Sequence, residues 1–231
     1  MRSHLPRLLA LLLCSVAAAP AAVARPISSE AQFWYTVSAQ GPISEPFLYY
    51  LEAQPRFGKD DGRAIFRAAG GSRVTQDLSL WLGYGWIPVW VWDGDPALRQ
   101  NESRLFQQFL FTPRLGEVRT TVRARLEQRF LPGTTAVSHR ARVMLRGGLP
   151  VAAEGRLSLI VWDEAFVHLN SVDNGPRQGF DMNRAFVGVG WKLGDHSSVE
   201  VGYLNVFTRR PTAETDQLIH TLSVSTPFNF L

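Results

Sequence analysis

The sequence has little cysteine and little lysine. Its single cysteine, Cys14, lies in the N-terminal segment, so residues 25–231 contain no thiol for a disulfide, a metal ligand or a nucleophile. Lys59 and Lys192 are the only lysines, and the rest of the 24 basic residues are arginines. The formal net charge is only +4. This mild excess of positive charge gives no reason to expect a nucleic-acid partner.

Long hydrophobic runs are also missing. After the N-terminal segment, no stretch reaches the roughly 18 consecutive apolar residues that a transmembrane helix requires. Residues 1–24 instead have the features of a secretory signal peptide: Arg2 and Arg7 start the chain, a short apolar run follows, and Ala22-Val23-Ala24 fits a cleavage site. We therefore expect residues 1–24 to be removed and residues 25–231 to form one domain.

Almost every segment of that domain alternates with a period of two. In the segment 118–130, Arg123, Arg125, Glu127 and Arg129 fall on one face, while the other face is mostly apolar. Side chains alternate across a β-strand, so the pattern predicts strands with one charged and one apolar face. Eleven strands are predicted, over residues 31–40, 46–57, 63–74, 78–92, 101–112, 118–131, 138–149, 156–170, 182–193, 199–210 and 218–231.

The predicted connections alternate between short turns and longer loops rich in Gly, Pro and Asp, which is typical of outer-membrane barrels. The sequence therefore predicts an all-β fold, an antiparallel transmembrane β-barrel of about ten to twelve strands. Bacterial single-chain barrels have an even number of strands, so either the segment 31–40 lies in the lumen or the barrel has a twelfth strand that the pattern does not reveal. A soluble periplasmic sandwich or lipocalin-like barrel, serving as a binding module, remains the alternative, because it alternates in the same way.

Short motifs occur in a set order along the chain. They are Trp34, Gly83-Tyr84, Arg123-x-Arg125-x-Glu127-x-Arg129, Arg140-x-Arg142, Glu164, Asn183-Arg184 and Gly202-Tyr203. In this order they resemble the bacterial family known as domain of unknown function 2490, over nearly all of residues 25–231. The resemblance implies an outer-membrane β-barrel of a Gram-negative bacterium. It implies no activity, because the family has no established chemistry.

If the charged face lines the lumen, it brings a network of charges together there. The predicted members are Arg104, Arg123, Arg125, Glu127, Arg129, Arg140, Arg142, Glu164 and Arg184. Arginine forks pair well with carboxylates, so this network suits a lock between strands. Arginines outnumber carboxylates, so a second interpretation is a narrow passive channel, or a binding site, for small anionic solutes.

No enzyme, cofactor or metal site is predicted. Glu164 and His168 are about 13 Å apart along one strand, too far to share a metal ion. No histidine has a serine two residues later on the same face of a predicted strand, so a lipid-modifying outer-membrane enzyme is only the alternative. The expected partners are the lipid bilayer of the outer membrane and the assembly machinery, which would read the last strand near Phe230.

Overall fold

A computed structural model describes residues 25–91 and 97–231, which form a closed β-barrel of eleven long strands. The expected signal segment, residues 1–24, lies outside the described residues. The strands are β1 (Ile27–Ser44), β2 (Phe47–Phe57), β3 (Asp61–Arg73), β4 (Leu78–Val91), β5 (Ala97–Phe111), the two-residue β6 (Arg114–Leu115), β7 (Val118–Phe130), β8 (Val137–Ala152), β9 (Leu157–His168), β10 (Gly179–Lys192), β11 (Ser198–Thr208) and β12 (Asp216–Asn229). No helix within the described ranges is long and apolar enough to cross a membrane.

The closure of the barrel differs from the prediction in one respect. The all-β barrel of ten to twelve strands is confirmed, but it is not wholly antiparallel, because β1 pairs in parallel with β12 from Ile27 opposite Asp216 to Gln40 opposite Asn229. Each other neighbouring pair is antiparallel, and β5 pairs with β7. Strands joined by hairpins alternate in direction, so in a ring of eleven the first and last strands must run the same way. The segment 31–40 is thus a wall strand, and neither alternative proposed for it was right.

The connections lie at two ends of the barrel. We call the end with residues 45–46, 74–77, 112–117, 153–156 and 193–197 the turn end. The opposite end, which we call the loop end, carries residues 58–60, 131–136, 169–178 and 209–215. The connection expected at 93–100 is shorter than predicted, because β5 begins at Ala97. Residues 92–96, including the predicted strand residue Trp92, lie outside the described part.

Apolar packing fills one side of the lumen. Trp34, on β1, and residues of β9 to β12 form a buried cluster there. Its other members are Ile160, Phe186, Leu204, Val206 and Ile219. On the facing wall, the Phe106 ring is 2% exposed, and a Cβ added to Gly83 on the neighbouring strand would come within 2.3 Å of that ring. A glycine at position 83 therefore makes room for the ring inside the barrel.

Candidate functional site in the barrel lumen

Glu127, on β7, is the centre of the charge network. One carboxylate oxygen accepts hydrogen bonds from Nε and Nη2 of Arg140, at 3.0 and 2.7 Å, and the other accepts one from Nη1 of Arg142 at 2.5 Å. Nitrogen atoms of Arg104 and Arg125 lie 3.8 Å away. Both bonded arginines come from β8, the next strand in the wall, so the network connects β7 and β8 through the lumen as well as through their backbones.

Glu164 extends the network to β9. It accepts hydrogen bonds from Nε and Nη2 of Arg142, at 3.0 and 2.8 Å, and from Nη2 of Arg123 at 2.9 Å. Arg142 thus bridges two carboxylates, Glu127 and Glu164. Charge-assisted hydrogen bonds of this kind are strong and directional, so the bridge favours one register of three neighbouring strands.

Two further carboxylates hold the loop end of the network. Glu102 receives two hydrogen bonds from Arg104, at 2.6 and 3.0 Å, and two from Arg129, at 2.6 and 3.1 Å. Asp181 accepts a hydrogen bond from Nη1 of Arg140 at 2.9 Å and lies 3.3 Å from Nε2 of His168.

Strict alternation does not find Asp181. It sits where the register of β10 against β9 shifts between Phe180 and Met182, and this bulge turns its carboxylate into the lumen. The available signal was a change in which residue numbers point outward. Phe180, before the bulge, has an even number, whereas Ala185 and Val187, after it, have odd numbers.

Aromatic rings support the arginines. The Phe166 ring, which is 0% exposed, lies under the guanidinium groups of Arg142, Arg184 and Arg140 at 4.5, 4.6 and 5.1 Å. Arg56 stacks at 3.6 Å on Trp34. Cation–π contacts of this kind offset part of the cost of placing guanidinium groups in a lumen away from bulk water.

The structure places all nine predicted network residues on the inward face. Eight of them take part in ion pairs, six as arginines and two as the carboxylates Glu127 and Glu164. Arg184 differs, because within the described residues no carboxylate lies within 4.0 Å of it. Its Nε instead contacts the Met182 sulfur at 3.2 Å.

The lumen is closed in one part and reached by water in another. Side-chain exposure is 1–5% for Arg125, Glu127, Arg140 and Arg142, and we call these residues with Phe166 the seal. Nearer the turn end, side-chain exposure rises to 20% for Arg123, 26% for Arg146 and 13% for Glu200. We call this water-reached part, with Arg184 beside it, the vestibule.

A serine, a histidine and an aspartate of three neighbouring strands meet at the loop end, in the Ser-His-Asp arrangement of many hydrolases. The Ser138 hydroxyl lies 3.4 Å from Nδ1 of His168, whose Nε2 faces Asp181. Ser138 is 0% exposed, so no substrate atom can reach its hydroxyl in this conformation. The described residues contain no group of three or more His, Cys, Asp or Glu side chains that could hold a metal ion.

The comparisons with known proteins identify a family and name no activity. Residues 31–217 match the model of a family described as a protein of unknown function, DUF2490. The chain belongs to the DUF2490 family. An uncharacterized protein of Methylorubrum extorquens is 35% identical to it over 229 residues, which cover 95% of this chain and 96% of the relative. No solved structure matches.

The geometry gives the two Gly-Tyr motifs of this DUF2490 chain a physical role. Gly202 faces Gly188 on β10, and a Cβ added to Gly202 would come within 2.3 Å of the Val187 carbonyl oxygen. The tyrosine after it, Tyr203, points outward and bonds His220. The motif at 83–84 is built in the same way, with the glycine inside and the tyrosine outside.

Proposed function

We propose that this chain is a barrel of the bacterial outer membrane that spans the bilayer and has a closed lumen, with a structural role rather than that of an open channel. The observation that carries the proposal is the chemistry of the outward side chains. The described strands place many large apolar residues outward and exposed, among them Leu82, Trp86, Val143 and Leu222. So large an apolar surface is rare on a soluble monomer and is expected of a surface in contact with hydrocarbon.

Charge is nearly excluded from this outer surface. When the first and last three residues of each described strand are set aside, Asp163 is the only Asp, Glu, Lys or Arg that points outward. A soluble barrel would show the reverse arrangement, with charge outside and apolar residues inside. Away from the strand ends, the arginines of the described strands point inward, and this distribution supports hydrocarbon as the outer medium.

Several of the polar groups on the outer surface are paired with each other. Asp163 accepts two hydrogen bonds from the Asn183 amide, both at 3.0 Å, and Gln107 and Gln128 exchange two hydrogen bonds at 3.1 and 3.0 Å. Tyr84–Ser103 and Tyr203–His220 are further pairs of this kind. Water would satisfy such groups singly, whereas hydrocarbon cannot, so mutual pairing favours a lipid environment.

The seal supports a structural role. Its members are almost completely buried, the apolar cluster around Trp34 fills the other side of the lumen, and the ion pairs link β5, β7, β8, β9 and β10. Interiors of small barrels are commonly filled by side chains. In a planar bilayer we therefore expect no conductance above background, and a steady anion-selective current would instead establish the passive channel for small anions.

The location rests on two features: the expected signal peptide at residues 1–24, and a last strand with outward Phe228 and Phe230 that the outer-membrane assembly machinery could read. The test is to express the full chain in a Gram-negative bacterium and to separate its membranes. We expect the protein in the outer membrane, extracted only by detergent, with a gel mobility that changes on boiling. A compact monomer in buffer without detergent would contradict the proposal.

A further inference from the structure

The vestibule has more positive charge than its carboxylates balance. Arg142 and Arg123 both donate hydrogen bonds to Glu164, while Arg184 lies directly opposite Glu164 in the register of β9 and β10. Glu164 thus faces three guanidinium groups, of which Arg142 also has a second carboxylate partner, Glu127. Arg67, from the opposite wall, adds further repulsion on Arg184. Guanidinium groups removed from bulk water are costly unless they have counter-charges.

Hydrogen-bond donors in this region also lack acceptors. Nε of Arg123 and Nη1 of Arg125 are buried and have no hydrogen-bond partner. A buried donor without an acceptor costs about 1–3 kcal/mol. The Arg123 side chain is 20% exposed in the vestibule, so its charge is accessible to a solute that enters from the turn end, whereas Arg125 belongs to the seal.

The walls of the vestibule suit an oxyanion. Half-buried hydroxyl side chains point into it from three strands, β1, β7 and β12. They are Thr36, Ser38, Thr121, Ser223 and Ser225. The carboxylates that face it, Glu52 and Glu200, are already held, by Arg67 and Arg146 respectively. Guanidinium forks and hydroxyl groups together match the oxygens of phosphate, sulfate or a carboxylate.

We propose that the vestibule is a binding site for a small oxyanion, which enters from the turn end and is held between Arg123 and Arg184. The site ends blindly at the seal, so it admits a small anion and no extended solute. This inference deepens the closed barrel of the proposed function, but it does not depend on a membrane location. The experiment on the oxyanion site can therefore fail while the membrane proposal stands. The membrane proposal can likewise fail while the oxyanion site is supported.

Residues 25–231 contain no cysteine, so one introduced thiol can report on the site. Ser223→Cys places a thiol in the vestibule beside Trp34, whose ring lies 5.1 Å from the Arg184 guanidinium. In detergent micelles we expect a negatively charged methanethiosulfonate to react at least about tenfold faster than a positively charged one, because the local field concentrates anions. Inorganic phosphate should slow that reaction, and adding Arg184→Met should remove both effects.

Two controls keep this experiment decisive. Ser138→Cys places a thiol that is almost fully buried beyond the seal, and we expect it to react with neither reagent. Arg63→Met removes an exposed arginine outside the lumen and should leave the charge preference of Ser223→Cys unchanged. If Arg184→Met does not refold, Arg184→Gln or Arg123→Met takes its place, with the heat-dependent gel shift as the criterion of folding.

Melting measurements distinguish the oxyanions. At constant ionic strength we expect phosphate, sulfate or acetate to raise the melting temperature above the value in chloride, and the order of the three identifies the preferred chemistry. The rise should be lost in Arg184→Met and kept in Arg63→Met. Equal reaction of Ser223→Cys with both reagents, or a melting temperature equal in chloride and in every oxyanion, would overturn the site.

Discussion

Removal of the charge at Glu127 tests the role of the seal most directly. Glu127→Gln keeps the size of the side chain but removes its negative charge. Its single amide oxygen cannot replace the two carboxylate oxygens that accept three hydrogen bonds from Arg140 and Arg142. The side chain is 1% exposed, so water cannot take the place of the lost acceptor. Loss of one partner from a buried ion pair typically costs about 3–5 kcal/mol.

A matched variant at a more exposed ion pair provides the comparison for the decrease in the free energy of unfolding. Glu200→Gln removes a carboxylate that accepts a hydrogen bond at 2.6 Å from Arg146, whose side chain is 26% exposed, and a longer one at 3.5 Å from the Ser225 hydroxyl. Solvent screens this pair, so its removal should cost no more than about 1 kcal/mol.

Urea-dependent folding into detergent micelles, followed by tryptophan fluorescence and by the gel shift on boiling, measures both free energies of unfolding. If the free energy of unfolding of Glu127→Gln is within about 1 kcal/mol of that of the unchanged protein, the pair behaves like a solvent-screened one. The hypothesis that the network locks the strands together would then be wrong.

Three further outcomes are expected. Asn183→Leu should lower the free energy of unfolding in micelles by about 1–3 kcal/mol, since it leaves the outward Asp163 carboxylate without its donor; the double change Asp163→Leu with Asn183→Leu should recover most of that loss, and no recovery would argue against a lipid-facing pair. Gly83→Ala should abolish the heat-dependent gel shift, whereas Gly70→Ala, whose Cβ would meet nothing within 4 Å, should keep it; equal behaviour would contradict the close packing. Ser138→Ala should leave the lipids of expressing cells unchanged by mass spectrometry, because the hydroxyl is 0% exposed, and an altered lipid would assign it a chemical role.

The alternation of side chains predicts the walls of the barrel well. It places Arg123, Arg125 and Glu127 inside, because every second side chain of a strand points to the same face. It also places Asp163 outside, as the structure does. What it lacks is the partner of each side chain: nothing local predicts that Arg142 bridges two carboxylates on the strands at either side of it.

Two features depend on long-range geometry and could not be read from the pattern. The pairing of β1 with β12 joins residues nearly 190 positions apart, and local alternation in β1 is the same whichever strand lies beside it. The bulge at Asp181 adds one residue to one strand, and a single residue of changed parity is a weak signal. The division of the lumen into seal and vestibule likewise follows from how side chains of opposite walls meet.

The odd number of strands has a consequence for the two chain ends. Because β1 and β12 run in parallel, the start of β1 and the end of β12 lie at opposite rims, separated by the fourteen paired residues of the seam, or roughly 43 Å along the strand at about 3.3 Å per residue. A circular permutant would thus need a connector that travels the whole height of the wall. If the barrel spans the outer membrane as proposed, an epitope fused before Arg25 and one fused after Leu231 would face different compartments.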